Sequence, residues 1–274
     1  MNPNAYLPKL ARVASVKEEV GGARAIKTFR MQFVGDDGFS HQCGQCAMLS
    51  IFGKGESMIS ISSSPFQKDY LQFSILKSGR VTTDLHELQE GDVIGIRGPY
   101  GNTFPVEQWK GKNLVIIGGG IGVAPVWSVL HTALGRREDY GDLSLFYGAR
   151  SSTDLVYREE LEELKGKINV HLSVDAEEEG WNDYVGFVPA NVLEKKPSPE
   201  NTIAVTCGPP IMIKFVIANL KKLGFEDEQI YTTVENKMKC GIGKCGRCNI
   251  GKHYVCIHGP VYSWAELKKL PQEY

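Results

Sequence analysis

No stretch of the 274 residues holds eighteen consecutive apolar side chains, and the opening MNPNAYLPKLARVASVKEE has no apolar run behind a basic one. The sequence therefore predicts neither a membrane span nor a secretory leader, and a cytoplasmic location. Net charge is nearly absent: 31 basic residues face 32 acidic ones, too even a balance to draw the chain to nucleic acid or an anionic membrane. Partners must be recognised locally. There is no internal repeat, no low-complexity tract and no Ser-His-Asp or paired-carboxylate pattern, and His41, His86, His131, His171, His253 and His258 are dispersed. Cysteine is scarce over most of the chain, yet four of the seven fall within residues 238–256, MKCGIGKCGRCNIGKHYVC. What is present otherwise is ordinary: a 42% hydrophobic fraction and a length that allows two domains.

From about Arg12 to Ile96 the chain reads as short strands between turns, ARVASVKEEV, IKTFRMQFV, CAMLSIF, SMISIS, YLQFSIL and DVIGIRG, with one helix in GRVTTDLHELQEGD. This spacing predicts a small antiparallel barrel. After GPYGNTFPVEQWKGK, strands alternate with helices: NLVIIGGG before VAPVWSVLHTALGR, LSLFYGAR before DLVYREELEELKG, then NVHLSV, and NTIAVTCGPP before IMIKFVIANLKKLG. That is the rhythm of a doubly wound parallel sheet. QIYTTVEN reads as its last strand, with the cysteine stretch hanging beyond. The expected division is 1–105, 106–234 and 235–274.

Cys240, Cys245, Cys248 and Cys256 follow C-x4-C-x2-C with a later fourth cysteine, the plant-type [2Fe-2S] spacing. Gly241, Gly243 and Gly246 lie between them, where a loop wrapping a cluster needs unusual backbone angles and N–H groups close to sulfur. Four cysteines also suit structural zinc, although zinc sites more often show two C-x2-C pairs. Cys43 and Cys46 make a pair without further ligands nearby and read as free, buried thiols.

Gly118, Gly119, Gly120 and Gly122 stand at a strand-to-helix turn, where glycine lets a pyrophosphate approach backbone N–H groups and the positive end of a helix. The bland alternative is a tight connection, since the spacing is not G-x-G-x-x-G. A second strand ends in CGPP, at the same carboxyl edge of the sheet, where ligands bind in such folds.

GPYGNTF, GGGIGVAP and CGPPIM, in this order and at these separations, resemble the ferredoxin-NADP reductase superfamily, in which a flavin-binding barrel precedes a nicotinamide-nucleotide domain. With MKCGIGKCGRC appended, the chain is most similar to the branch of the sulfhydrogenase gamma (diaphorase) subunits and the B-type subunits of anaerobic sulfite reductases. The electron-transfer subunit of dihydroorotate dehydrogenase is a more distant cousin. The resemblance implies FAD on the strand that ends in Ser60, Ile61 and Ser62, where the family motif R-x-Y-S falls on Ser57 to Ser60. Ser57 stands in place of the motif's arginine and Ile59 in place of its tyrosine. A second flavin segment would be Gly79, Arg80, Val81, Thr82 and Thr83, with Arg80 supplying the cation missing at Ser57; its plain alternative is a helix cap by Thr82 or Thr83. The nicotinamide nucleotide's pyrophosphate would lie on Gly118, Gly119, Gly120, Gly122, Ala124 and Pro125, and the nicotinamide near Cys207, Gly208 and Pro209. Arg150 would touch the ribose or a 2'-phosphate, or be a plain exposed arginine. Tyr274, the last residue, is aromatic as in many flavin reductases of the superfamily, a coincidence here because the cysteine segment intervenes. His253 and His258 flank Cys256 in what reads as a solvated loop.

The expectation is an NAD(P)H-linked flavin and iron-sulfur electron-transfer subunit of a larger redox complex, with a hydrogenase, sulfite reductase or related catalytic module as partner. Alternatives are a self-contained oxidoreductase acting on ferredoxin or a small acceptor, and a non-catalytic nucleotide-binding assembly subunit with structural zinc.

Overall fold

The computed structural model describes residues 4–35 and 39–271. Its first part is a six-stranded antiparallel barrel-like sheet of β1 (Lys9–Val20), β2 (Ile26–Phe33), β3 (Cys46–Ile51), β4 (Gly55–Ser60), β5 (Leu71–Leu76) and β6 (Val93–Tyr100) in the order β4-β3-β6-β1-β2-β5. Alternate residues of these strands point inward, and Phe29, Met31, Leu49, Phe73 and Ile96 form the core. Helix α1 (Arg80–His86) packs along β3, β4 and β5. Thr82 closes its start, accepting from the N–H groups of Ser78 and Gly79 at 3.0 and 2.8 Å. The plain capping role is thus present whatever else the turn does.

The second part is a parallel-rich sheet. It contains β7 (Asn113–Gly119), β8 (Leu143–Ala149), β9 (Asn169–Val174), β10 (Tyr184–Val185), β11 (Thr202–Cys207) and β12 (Ile230–Thr233), with helices α2 (Val123–Gly135), α3 (Arg158–Leu164), α4 (Val188–Lys195) and α5 (Pro210–Lys222). The strands read as unbroken apolar runs because both faces are covered. Leu114 and Ile116 of β7 enter one core with Trp127 and Val205, while Val115 and Ile117 enter the other with Phe146 and Val216. The barrel joins this part through Tyr157: its ring stacks on Trp127 at 4.3 Å between centroids, its hydroxyl meets Ser74 and its N–H donates to Glu19.

The cysteine stretch does not hang beyond a last strand. It folds into the hairpin β13 (Asn249–Ile250) and β14 (His253–Tyr254), the turn α6 (Val255–His258), β15 (Val261–Ser263) and α7 (Trp264–Leu267). β15 pairs antiparallel with β12 and becomes the sheet's edge, so the order is β10-β9-β8-β7-β11-β12-β15. Sequence rhythm missed this because β15 is three residues long, too short for a periodic signal. Asn102 pins the return: its side-chain amide donates to the carbonyls of His258 and Val261 at 2.9 and 2.7 Å and accepts from the Val261 N–H at 2.9 Å.

Candidate functional site

A cleft of about 750 Å³ opens at the carboxyl edge of the parallel sheet, between it and the barrel. Gly119 at the end of β7, Gly120 just after it, Arg150 after β8, Asp175 after β9 and Pro209 after β11 line it, with Arg24, Ile26 and Leu76 as the barrel's lip. The glycines divide by role. A Cβ at Gly118 would lie 3.1 Å from Val123, one at Gly119 would strike Met212, and one at Gly122 would sit on the Gly208 backbone, 2.6 Å from its nitrogen. Gly118 thus lets β7 close onto the start of α2, Gly122 lets that turn close onto the end of β11, and Gly119 lines the cleft with Met212 against it. Gly120 differs: its φ is +52°, and nothing lies within 4 Å of where its Cβ would be. Its surface is open to the cleft, as a backbone that receives a ligand must be.

Ala124 and Pro125 are buried in the first turn of α2. Cys207 is buried, accepts from the Thr233 hydroxyl at 2.9 Å and is pushed up to about 12 by burial, which keeps it a neutral thiol; of Cys207, Gly208 and Pro209, Pro209 alone lines the cleft. Arg150 is exposed in the cleft, across from Asp175. Burial raises the Asp175 carboxyl while Arg150 pulls it back down. Asp154, Asp175 and Arg24 were not foreseen as cleft residues, for they come from separate loops with no motif spacing.

On β4, the register with β3 sets Ser57 and Ile59 opposite Leu49 and Ala47, and Ile59 packs against the barrel core. Ile61 is buried there too, and the Ser62 hydroxyl donates to the Gln72 carbonyl at 3.1 Å. Ser60, at the strand's end, is only half-buried. Gly79 and Arg80 are exposed at the start of α1, with open space around the Gly79 Cα, whereas Val81 turns inward to the barrel core. Arg80 thus rides on the helix that packs against β4, the strand of Ser57.

The four cysteines converge in two pairs. The Cys245 thiol lies within hydrogen-bonding reach of Cys240, and that of Cys248 within reach of Cys256. Backbone N–H groups aim at one sulfur of each pair: Ile242, Lys244 and Cys245 donate to Cys240 at 3.4 to 3.5 Å, and Gly243 donates to Cys256 at 3.3 Å. Positive φ at Gly241, Gly243 and Gly246 makes this inward turning possible. Burial opposes ionisation of Cys240, but the N–H groups and the neighbouring thiol outweigh it and bring the group down to about 6. Cys256 is pushed up to about 12 by burial and by Cys248. Among the described residues no three Cys, His, Asp or Glu groups meet at a single-ion position. Cys248 and Cys256 are buried and Cys245 is exposed, so one pair faces inward and the other reaches the surface.

The loop is clamped to the barrel by Arg97, which sequence reading passed over. This guanidinium, 5% exposed, makes a two-pronged pair with Glu56 at 2.7 Å and donates to the Tyr100 hydroxyl at 2.7 Å and the Cys240 carbonyl at 3.1 Å. The Tyr100 ring then backs Gly241, where a Cβ would come within 2.7 Å of it. Cys46 and Met48 of β3 complete this contact with Ile242 and Met238. Cys46 is therefore a packing thiol, and Cys43, bonded to Thr132 at 3.2 Å, is another. His253 and His258 pack ring against ring, and His258 accepts from the Tyr254 N–H at 2.9 Å. Tyr274 lies outside the described residues.

Residues 116–217 match the family described as the oxidoreductase NAD-binding domain, and residues 235–268 match the iron-sulfur cluster binding domain of dihydroorotate dehydrogenase B. The chain is 40% identical to sulfhydrogenase 1 subunit gamma of Pyrococcus furiosus, over 83% of this chain and 81% of that one. It is 38% identical to sulfhydrogenase 2 subunit gamma of the same organism, over 96% of each. Identity is 32% to that organism's probable dihydroorotate dehydrogenase B (NAD(+)) electron transfer subunit, over 94% of this chain and 92% of the relative. Among solved structures, a chain of an NADH-dependent reduced ferredoxin-NADP oxidoreductase superposes with a TM-score of 0.73 at 19% identity, covering 99% of this chain and 91% of that one. A ferredoxin NADP+ reductase from Neisseria gonorrhoeae, solved with FAD and NADP, gives 0.67 at 20% identity, over 81% and 96%. With the fold of the ferredoxin-NADP reductases, an NAD-binding oxidoreductase domain, an iron-sulfur binding domain and relatives at this identity over nearly its whole length, the chain belongs to the family of the sulfhydrogenase gamma subunits and the dihydroorotate dehydrogenase B electron-transfer subunits.

Proposed function

We propose that this chain is the NAD(P)H-linked, FAD- and [2Fe-2S]-containing electron-transfer subunit of a larger redox complex, with a hydrogenase, sulfite reductase or similar module as partner. The observation that carries this is the arrangement of thiols in two pairs, Cys240 with Cys245 and Cys248 with Cys256, with N–H donors aimed at one sulfur of each. Two irons need two thiolates each, whereas a lone zinc needs four about one point. The gamma and electron-transfer roles in the relatives' names support a place among other subunits.

When bound, a nicotinamide supplies hydride, a flavin trades it for single electrons, and a cluster carries these one at a time. The chain's own task is to hold and shield. Residues 106–234 would seat the nucleotide: Gly119 and Gly120 would receive the pyrophosphate on backbone N–H groups, with Gly118, Gly122, Ala124 and Pro125 shaping that turn. Arg150 would meet the ribose end, and Pro209 would wall the nicotinamide, with Gly208 and the buried, neutral Cys207 supporting that wall. Residues 1–105 would seat the flavin through Ser60, the backbone of Ile61 and Ser62, and the turn of Gly79, Arg80, Val81, Thr82 and Thr83, Arg80 replacing the cation absent at Ser57. Residues 235–274 would carry the cluster, and the Arg97 clamp would fix its distance from the barrel.

An ultraviolet-visible spectrum of anaerobically purified protein, with iron, sulfide, zinc and flavin quantitation, tests this. Flavin bands and about two irons per chain, bleached by NADH or NADPH, are expected. Zinc without flavin would overturn the redox reading.

A further inference from the structure

The cysteine loop carries charge of one sign only. Between Glu235 and Glu266 there is no carboxylate, while Lys237, Lys239, Lys244, Arg247 and Lys252 lie in that stretch; with 31 basic and 32 acidic residues in all, the rest of the chain is acidic. All five are exposed, and among the described residues none is held in an ion pair. Lys239, Lys244 and Arg247 each immediately precede a cysteine, and Lys252 stands at the β13–β14 turn. At the same surface Cys245 is exposed and Ile257, beside Cys256, is 47% exposed.

We infer that this rim is a docking surface for an acidic protein face that carries a one-electron centre. The inference rests on the reading of the loop as a cluster site. An oxidised [2Fe-2S] group with four thiolates carries about two negative charges, so five cations more than neutralise it and leave a positive rim. The acidic surplus of the remaining chain turns that rim toward an acidic partner during encounter. Ile257 gives the contact a small apolar centre, and Cys245 lies on the exposed side where an electron has the shortest way out. Oxidation of one NADH releases two electrons and one proton. Two oxidised partner centres are then each reduced by one electron, and the proton goes to solvent.

The test uses the full chain with both cofactors and two protein acceptors, an acidic plant-type ferredoxin and the basic cytochrome c. NADH-driven reduction of the ferredoxin should slow about tenfold from low to physiological ionic strength, and cytochrome c reduction should not slow. Lys237→Glu with Lys252→Glu, neither adjacent to a cysteine, should lower the low-salt ferredoxin rate several-fold while NADH still bleaches flavin and cluster at the parent rate. A ferredoxin rate indifferent to salt and to the charge reversal, with that bleaching intact, would overturn the docking surface alone. A cluster that NADH does not reduce in the unaltered chain would overturn the functional reading and this inference with it.

Discussion

At the scale of single residues, the two kinds of glycine in the nucleotide turn should respond differently to the same change. Gly122→Ala drives a methyl group into the Gly208 backbone, which cannot swing aside as a side chain could, and should cost about 2 to 3 kcal/mol. Gly120→Ala meets no atom, pays only for its positive φ, about 1 kcal/mol, and should chiefly weaken NADH binding by roughening the cleft floor. Urea melts and NADH titrations of the two variants separate these outcomes; equal destabilisation would contradict the division. Arg97 is a second such point. Arg97→Met leaves Glu56 without its cation and the Cys240 carbonyl without its donor. A fully buried broken pair costs about 3 to 5 kcal/mol, but Glu56 is partly exposed, so about 2 kcal/mol is expected. Pairing Arg97→Met with Glu56→Gln should recover part of it, and a double-variant cycle showing no coupling would remove the clamp from the account.

Among the elements, β15 matters most, because it makes the cysteine segment part of the nucleotide sheet rather than an appendage. Its three residues cover the outer edge of β12, and Asn102 ties the same turn to the barrel. A chain ending at residue 234 should therefore expose an unpaired strand edge and associate with itself. In the intact chain, amide exchange at Tyr231, Thr232 and Thr233 should be slow, and it should quicken when iron is chelated, since Cys248 and Cys256 belong to the small core beneath β15. Exchange unchanged by chelation would show that cluster and sheet are independent. This coupling was illegible in the sequence: GPYGNTF marks Asn102 as part of a motif, but only contact across more than 150 residues gives its amide a purpose.

For the whole molecule, four histidines held below their ordinary range by burial make stability depend on pH: His131, brought down to about 4, His171, and the two least exposed, His41 and His86. His41 and His86 are each about 5% exposed, and burial holds both below the ordinary histidine range, against the opposing pull of the Ser63 and Ile75 carbonyls they contact. The unfolded chain then takes up protons more readily than the folded one. Stability is full above about pH 6.5 and falls as pH drops below it. Thermal midpoints between pH 7.5 and 5 should decline, and His41→Gln should flatten that decline. An equal decline in His41→Gln and the parent chain would mean that His41 does not stay neutral in the fold.

Apolar periodicity and local motif distances are properties of neighbouring residues, so the fold class, the order of barrel and doubly wound sheet, and the four-cysteine spacing were all legible in the chain before it folds. Local pattern could not say that two of the six cofactor residues in the glycine turn open onto the cleft while Gly118, Gly122, Ala124 and Pro125 serve packing, since the difference lies in what stands opposite each Cα. Nor could it pair Glu56 with Arg97, join β15 to β12, or bring Asp175 across from Arg150. Those arrangements belong to the tertiary structure, for a charge buried in one strand finds its partner only where the chain's return path brings another strand alongside.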